Sequence, residues 1–321
     1  MRNGKKANAV PLLQLDLVCP NCKPKLDSAD DCLRCPKCGE SWPVVDGIPY
    51  FIQSAQYWGE VGISQEDAQQ IIKQAENGSW HDALKGHPGG ARHYSFIADL
   101  DRAKWFKMLS LPSESIVLDL GAGLGTISQS IARDGAHVYA VERVEERVQF
   151  MRLRFRQEGC TNIKIIRSDI DHLPFSERSF DLIVLNGVLE WLPFSRKQDN
   201  PREAQLYYLG ELRKLLKPKG VLYIGIENRF NYDFIVGAPD PHIGVKFVTV
   251  LPRWVANLIC TIQTGDRYRP YLYSPVGYQK LLAQAGFAES EVFSALPSYN
   301  NPRVIRSLES QSGIRRSDLA Y

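Results

Sequence analysis

The sequence predicts an α/β protein, a doubly wound parallel sheet preceded by a small cysteine-rich module. Three observations carry that prediction. Apolar runs of strand length alternate with helix-period segments from Ser115 to Ile226, the pattern of a parallel sheet with crossover helices. A glycine turn, Gly121-Ala122-Gly123-Leu124-Gly125, directly follows the first of those runs. Two Cys-x-x-Cys hooks, Cys19 with Cys22 and Cys35 with Cys38, stand near the start.

The hooks are separated by twelve residues, and five of the seven cysteines lie between Cys19 and Cys38. Two hooks bring four thiolates to one centre, the tetrahedral sulfur cage that zinc accepts. Four protein ligands close the site, so the metal is read as structural, stabilising a module too small to bury an adequate core. A register in which Cys32 replaces one ligand is the alternative. Ser41 to Ile52 reads as two short strands around the Asp46-Gly47 turn. The order of hooks followed by WPVVDGIPYFI, over residues 12 to 54, is similar to the zinc ribbons at the front of some bacterial ribosomal-RNA methyltransferases. It also resembles the zinc-binding activator subunit of eukaryotic tRNA and release-factor methyltransferases.

From residue 55 to 111 the pattern is polar and helical, broken at Gly86-His87-Pro88-Gly89-Gly90, and reads as a linker with capping helices. The sheet begins at Ser115–Leu120. A helix over Ile127–Asp134 follows the turn, then a strand at His137–Val141, a helix at Val144–Glu158, and strands at Asn162–Arg167, Phe180–Leu185 and Gly220–Ile226. Three of these strands end in or beside an acid: Asp119, Glu142 and Asp169. Open α/β sheets bind ligands at the carboxyl ends of their strands, and an acid about 20 residues past such a loop suits a ribose diol. A pyrophosphate at the turn would be repelled by Asp119, whereas a sulfonium amino acid has an ammonium that needs a carboxylate.

In order, VLDLGAGLGT, AVE, SDIDHLPF, SFDLIVLNGVLEWL and LRKLLKPKGVLYIGIENR resemble the motifs of class I S-adenosylmethionine-dependent methyltransferases over residues 116 to 226. The resemblance implies a Rossmann-like seven-stranded sheet and S-adenosyl-L-methionine as cofactor. It implies that Asp119, Gly121, Ala122, Gly123 and Gly125 approach the methionine part, that Glu142 with Arg143 holds the ribose, and that Asp169 with Ile170 flanks the adenine. Asn186 and Gly187 would floor the methyl group. A helix cap is the alternative role for Asp169.

Glu227 to Tyr273 is a long, aromatic, Pro-rich insertion read as a substrate lid. Within it His242 is the candidate general base, since imidazole titrates near neutral pH. Glu190 is the second candidate, as base or floor residue, and Asn228 and Arg229 are candidate substrate contacts. Leu251–Ile262 is apolar on most faces, for which core or homodimer burial is expected, with a lipid-linked acceptor as the alternative. Pro275–Gly286 reads as a helix. Ala288–Ser294 and Arg303–Leu308 read as the antiparallel edge of the main sheet. The domains expected are a ribbon at 1–54, the linker at 55–111 and the methyltransferase domain at 112–321.

A formal charge of +3 over 321 residues does not point to nucleic acid. No apolar stretch is long enough to span a membrane, and the N-terminal residues lack a secretory h-region, so a cytoplasmic protein is expected. Asn186-Gly187-Val188-Leu189 stands where nitrogen-methylating enzymes for bases and glutamine carry Asn-Pro-Pro-aromatic, and no Pro-Cys nucleophile is there for a pyrimidine carbon. Oxygen is therefore the expected acceptor atom, and the resemblance of NGVLEWL and GIENRFNY to methyltransferases among bacterial polysaccharide and secondary-metabolite enzymes implies a small molecule, natural-product intermediate or saccharide as substrate. The alternative is an RNA methyltransferase docking its substrate on the ribbon, and a non-catalytic activator is a third class.

Overall fold

A computed structural model of the chain describes residues 15–57, 62–197, 199–308 and 319–320. The first fourteen residues, where a secretory signal was not expected, lie outside the described residues. The chain divides into two compact units, 1–184 with 215–221, and 185–214 with 222–321.

In the first unit, β1 (Asp27–Ala29), β2 (Cys32–Arg34), β3 (Ser41–Val45) and β4 (Ile48–Pro49) form an antiparallel ribbon in that order. The β3–β4 turn is tight because Asp46 and Gly47 both take left-handed backbone, φ 51° and 78°, as Asp-Gly hairpins do. The ribbon then runs into the parallel sheet. Tyr50 bridges Arg167 in parallel, and the Phe51 amide donates to the Arg167 carbonyl at 2.8 Å. Helices α1 (Gln65–Glu76), α2 (Trp80–Gly86), α3 (Pro88–Ala91) and α4 (Tyr94–Ala98) follow, with a 3-10 segment at Leu100–Leu109. Ile71, Trp80, Leu84 and Ile97 of this layer share a buried cluster with Phe150 and Leu153.

The sheet is five-stranded, in the order β7-β6-β5-β8-β9: β5 (Ile116–Leu120), β6 (His137–Glu142), β7 (Ile163–Arg167), β8 (Phe180–Asn186) and β9 (Leu216–Gly225). Its paired central strands are parallel. β5 and β6 are buried at every residue, which is why they read as continuous apolar runs rather than alternating ones. α5 (Thr126–Arg133) connects β5 to β6, and α6 (Glu145–Gln157) connects β6 to β7. Ile48 and Tyr50 of the ribbon lie in one core with Ala140, Val148, Met151, Phe155 and Ile165, so the ribbon covers the β7 edge that would otherwise expose unpaired backbone groups.

The second unit holds α7 (Pro201–Leu215) up to Lys214, then α8 (Tyr232–Ile235), α9 (Arg253–Thr264) and α10 (Pro275–Gln284). The insertion has its own core of Val245, Val248, Ala256, Cys260, Tyr268 and Tyr271. The expected antiparallel edge is a separate sheet. β10 (Phe293–Ser298), β11 (Asn301–Ser307) and β12 (Leu319–Ala320) pair with one another and not with β9 among the described residues, which corrects the seven-stranded expectation to five. Pro297 and Pro302 sit opposite each other at a register shift, and proline has no N–H to extend a ladder.

Candidate functional site

In the first unit the glycine turn is held by backbone bonds to the neighbouring strand. The amides of Gly121 and Ala122 both donate to the Val141 carbonyl, at 2.9 and 3.0 Å. Gly125 opens α5 with φ 80°, and a Cβ there would lie 2.5 Å from Phe155 Cζ. Only glycine meets both conditions.

Glu142 ends β6 and is 3% exposed. Its Oε2 accepts from the Gly123 amide at 2.9 Å, and its Oε1 accepts from the amides of Arg143 and Val144 at 2.8 and 3.0 Å. Arg147 approaches Oε2 at 3.5 Å. The carboxylate is thus oriented by backbone donors beside the turn, and its longest contact is the one to Arg147. Asp119, on β5, accepts from the Ser128 hydroxyl at 2.6 Å. Asp169 caps the 3-10 turn Ile170–His172, accepting from the Asp171 amide at 3.1 Å and contacting His172 Nδ1 at 2.6 Å.

Sequence reasoning missed Arg154. It is buried on α6, and its guanidinium donates to Gln129 Oε1 at 2.6 Å, to the carbonyls of Leu124 and Ile97 at 3.0 and 3.1 Å, and to Thr126 Oγ1 at 3.0 Å. It ties the end of the glycine turn to the helical layer. An arginine among the apolar positions of α6 was the available signal.

The second unit gathers a different set. His242 Nε2 lies 3.5 Å from Glu190 Oε1, with side chains 5% and 1% exposed. Glu227 joins them, and one donor atom from each of the three lies within 4.8 Å of the others. Asp240 orients the ring: its Oδ1 is 3.1 Å from His242 Nδ1 and accepts from the His242 amide at 2.8 Å, while its Oδ2 accepts from the Tyr268 hydroxyl at 2.9 Å. The Tyr299 hydroxyl donates to Glu227 Oε1 at 3.1 Å. Burial, with the Glu190 charge added, pushes the Glu227 carboxyl up to about 7. Burial alone would lower the His242 pKa, but hydrogen bonds and charge from Asp240 and Glu190 outweigh it and push it up to about 10. The two candidate catalytic residues are therefore brought together. Glu227 and Asp240 were missed, although Glu227 follows the fifth strand directly and Asp240 stands two residues before His242.

The other expected contacts are placed as follows. Asn186 Nδ2 donates to Asn300 Oδ1 at 3.2 Å, and the Gly187 amide donates to the Gly225 carbonyl at 2.8 Å. Asn228 Oδ1 accepts from the Phe230 amide at 3.0 Å. The Arg229 guanidinium is engaged by the carbonyls of Thr249, Val250 and Leu251 at 3.0, 3.3 and 2.9 Å, so it ties the insertion together.

In the ribbon, Cys19, Cys22, Cys35 and Cys38 converge, with Sγ separations of 3.4 Å for Cys19–Cys22 and Cys22–Cys35 and 3.8 Å for Cys19–Cys38. Cys32 lies on β2 opposite Pro43, outside the cluster. The amides of Cys22 and Cys38 donate to Cys19 Sγ and Cys35 Sγ, both at 3.4 Å. Burial pushes the Cys35 thiol up, but the backbone amides of Cys38 and Lys37 more than offset it and bring it down to about 6. Burial and neighbouring thiols push Cys22 up to about 12.

A family model described as "Methyltransferase domain" matches residues 111–271, half of the chain. The chain belongs to the methyltransferase domain family. It is 33% identical over 215 residues to the uncharacterized methyltransferase YodH of Bacillus subtilis, covering 66% of this chain and 72% of that protein. It is 34% identical over 108 residues to demethylmenaquinone methyltransferase of Clavibacter sepedonicus, covering 34% of this chain and 39% of that protein. It is 31% identical over 148 residues to ubiquinone biosynthesis O-methyltransferase of Xylella fastidiosa (strain M23), covering 46% and 54%. The chain thus spans about half or less of these last two relatives. Among the described residues, no helix is long and apolar enough to cross a membrane.

Proposed function

We propose that the chain is an S-adenosylmethionine-dependent methyltransferase acting on a hydroxyl oxygen of a small molecule. The observation that carries the reading is the Glu142 carboxylate, aimed by three backbone amides beside the glycine turn. That acceptor fits a ribose diol, because a buried, pre-oriented carboxylate accepts charge-assisted hydrogen bonds from hydroxyls without reorganising. The Gly121, Ala122, Gly123 and Gly125 turn would admit the methionine part, with Asp119 as the nearby negative charge, Arg143 beside the ribose, and Asp169 with Ile170 toward the adenine. Asn186 and Gly187 would floor the methyl. When bound, the cofactor supplies a methyl group on positive sulfur, so alignment rather than strong activation is what the protein must provide.

The acid-rich cluster of Glu190, Glu227 and Asp240 with His242 supports a hydroxyl acceptor, since buried carboxylates repel a phosphodiester backbone. Within that cluster Glu190 and His242, 3.5 Å apart, would take the acceptor's proton. The two quinone-pathway relatives support a small-molecule acceptor by their names. In the ribbon, a zinc ion with Zn–S bonds of about 2.3 Å places its sulfurs about 3.8 Å apart. The 3.4 to 3.8 Å separations fit that cage. The test is methyl transfer from labelled cofactor to catechols, hydroxyquinones, sugars and total RNA. Transfer to a hydroxyl compound is expected, and transfer to RNA alone would refute the reading.

A further inference from the structure

Glu190 and Glu227 each keep an oxygen, Oε2, that is buried and has no hydrogen-bond partner among the described residues. Glu190 is also one of the least exposed acids in the chain, at 1%. A buried carboxylate without its full complement of donors costs several kcal/mol unless a cation compensates it. Here two such groups face one imidazole, and a third acid, Asp240, stands behind the ring. Asp240 contacts Nδ1 of His242, leaving Nε2 toward the glutamates. That is the arrangement by which an outer carboxylate fixes the tautomer of a metal-bound histidine and raises its basicity. Asp240 is itself pinned by the His242 and Ile243 amides and by the Tyr268 hydroxyl, so the ring's direction is set by the fold.

We infer that Glu190, Glu227 and His242 form a binding site for a divalent cation, with coordination positions left open for an oxygen of the methyl acceptor. Two carboxylate oxygens and one imidazole nitrogen suit Mn²⁺, Fe²⁺ or Zn²⁺, and they are too few to fill an octahedron. Donors about 2.1 Å from one ion lie no more than about 4.2 Å apart, so the observed spread of up to 4.8 Å needs only side-chain adjustment. Glu190 comes from the segment after β8 and Glu227 from the segment after β9, the strand ends where open α/β sheets bind ligands. An acceptor with two adjacent oxygens, such as a catechol or a vicinal hydroxyketone, would chelate the ion. The acceptor part of this inference rests on the O-methylation reading, whereas the metal site does not.

The test counts metal on the full chain. Wild type and the E190Q/E227Q variant are equilibrated with micromolar Mn²⁺ and zinc, desalted, and analysed for total metal and by electron paramagnetic resonance. The expected result is one metal ion fewer per chain in the variant, whatever the ribbon holds, and a nitrogen modulation from His242 on the wild-type Mn²⁺ signal. Asp240→Asn should weaken Mn²⁺ binding about 10- to 100-fold without removing a ligand. Equal metal content in wild type and variant would overturn the site. Should the variant not fold, wild type decides: no nitrogen-coupled Mn²⁺ and no zinc beyond one per chain overturns it. Calorimetry with S-adenosylmethionine on the same samples tests the methyltransferase reading separately, since Glu142 and the glycine turn share no residue with the cluster.

Discussion

Replacing Glu142 by glutamine tests how the chain holds a nucleoside. The carboxylate accepts three backbone amides, two on Oε1 and one on Oε2. Glutamine has one acceptor oxygen. Placed toward Arg143 and Val144, it turns its NH₂ group against the Gly123 amide, donor facing donor in a site that is 3% exposed. Leaving that amide unpaired costs about 1 to 3 kcal/mol of stability. The cofactor loses more selectively: a charge-assisted bond to a ribose hydroxyl is worth about 1.5 to 3 kcal/mol, which is roughly a 10- to 150-fold rise in Kd. Isothermal calorimetry with S-adenosylmethionine and with its demethylated product reads the affinity, and a thermal melt reads the fold. A variant that melts as expected but binds the cofactor within about threefold of wild type would refute the assignment of Glu142 to the ribose.

Three further outcomes are expected. Glu158 accepts from Trp80 Nε1 at 3.0 Å and from Arg133 at 2.7 Å, and contacts His81 at 3.1 Å. Burial raises its pKa, but these partners outweigh burial and leave it lowered. Its contribution is therefore present above the usual carboxylate range and is lost as pH falls through the lowered value. Glu158→Gln should cost about 2 kcal/mol at pH 7 by denaturant titration, and the gap to wild type should narrow as pH falls below the usual carboxylate range. Chelating the proposed ribbon zinc, or Cys35→Ser, should loosen Ile48 and Tyr50 from the core they share with β6 and α6. A loss of about 2 to 5 kcal/mol and a Tm drop of roughly 3 to 8 °C in a thermal melt would follow, and an unchanged Tm would argue against a structural metal. Gly125→Ala forces a side chain into left-handed backbone against Phe155, so it should destabilise by at least about 2 kcal/mol, read by chemical denaturation.

What lay in the sequence was local. Strand-length apolar runs marked β5, β6 and β8, because a strand buried on both faces has no polar face to show, and shorter apolar runs marked β7 and the second half of β9. The glycine turn and the Cys-x-x-Cys hooks were legible for a similar reason: a few consecutive residues set their backbone geometry, and the Asp46-Gly47 hairpin likewise needs only two. Tertiary structure decided whatever depends on residues far apart in the chain. Glu190, Glu227 and His242 meet only because the segments after two parallel strands and a folded insertion converge, and no periodicity encodes that meeting. Arg154 becomes a clamp only when α6 lies beside the glycine turn. Prolines facing each other across β10 and β11 accompany a separate small sheet, although the residues around them have ordinary strand character. The ribbon, readable as an independent module from its cysteines, acquires its role in the fold from the unpaired edge of β7, which exists only once the sheet has formed. Short-range propensity thus specified the parts, and long-range burial of apolar surface and charge specified which of them touch.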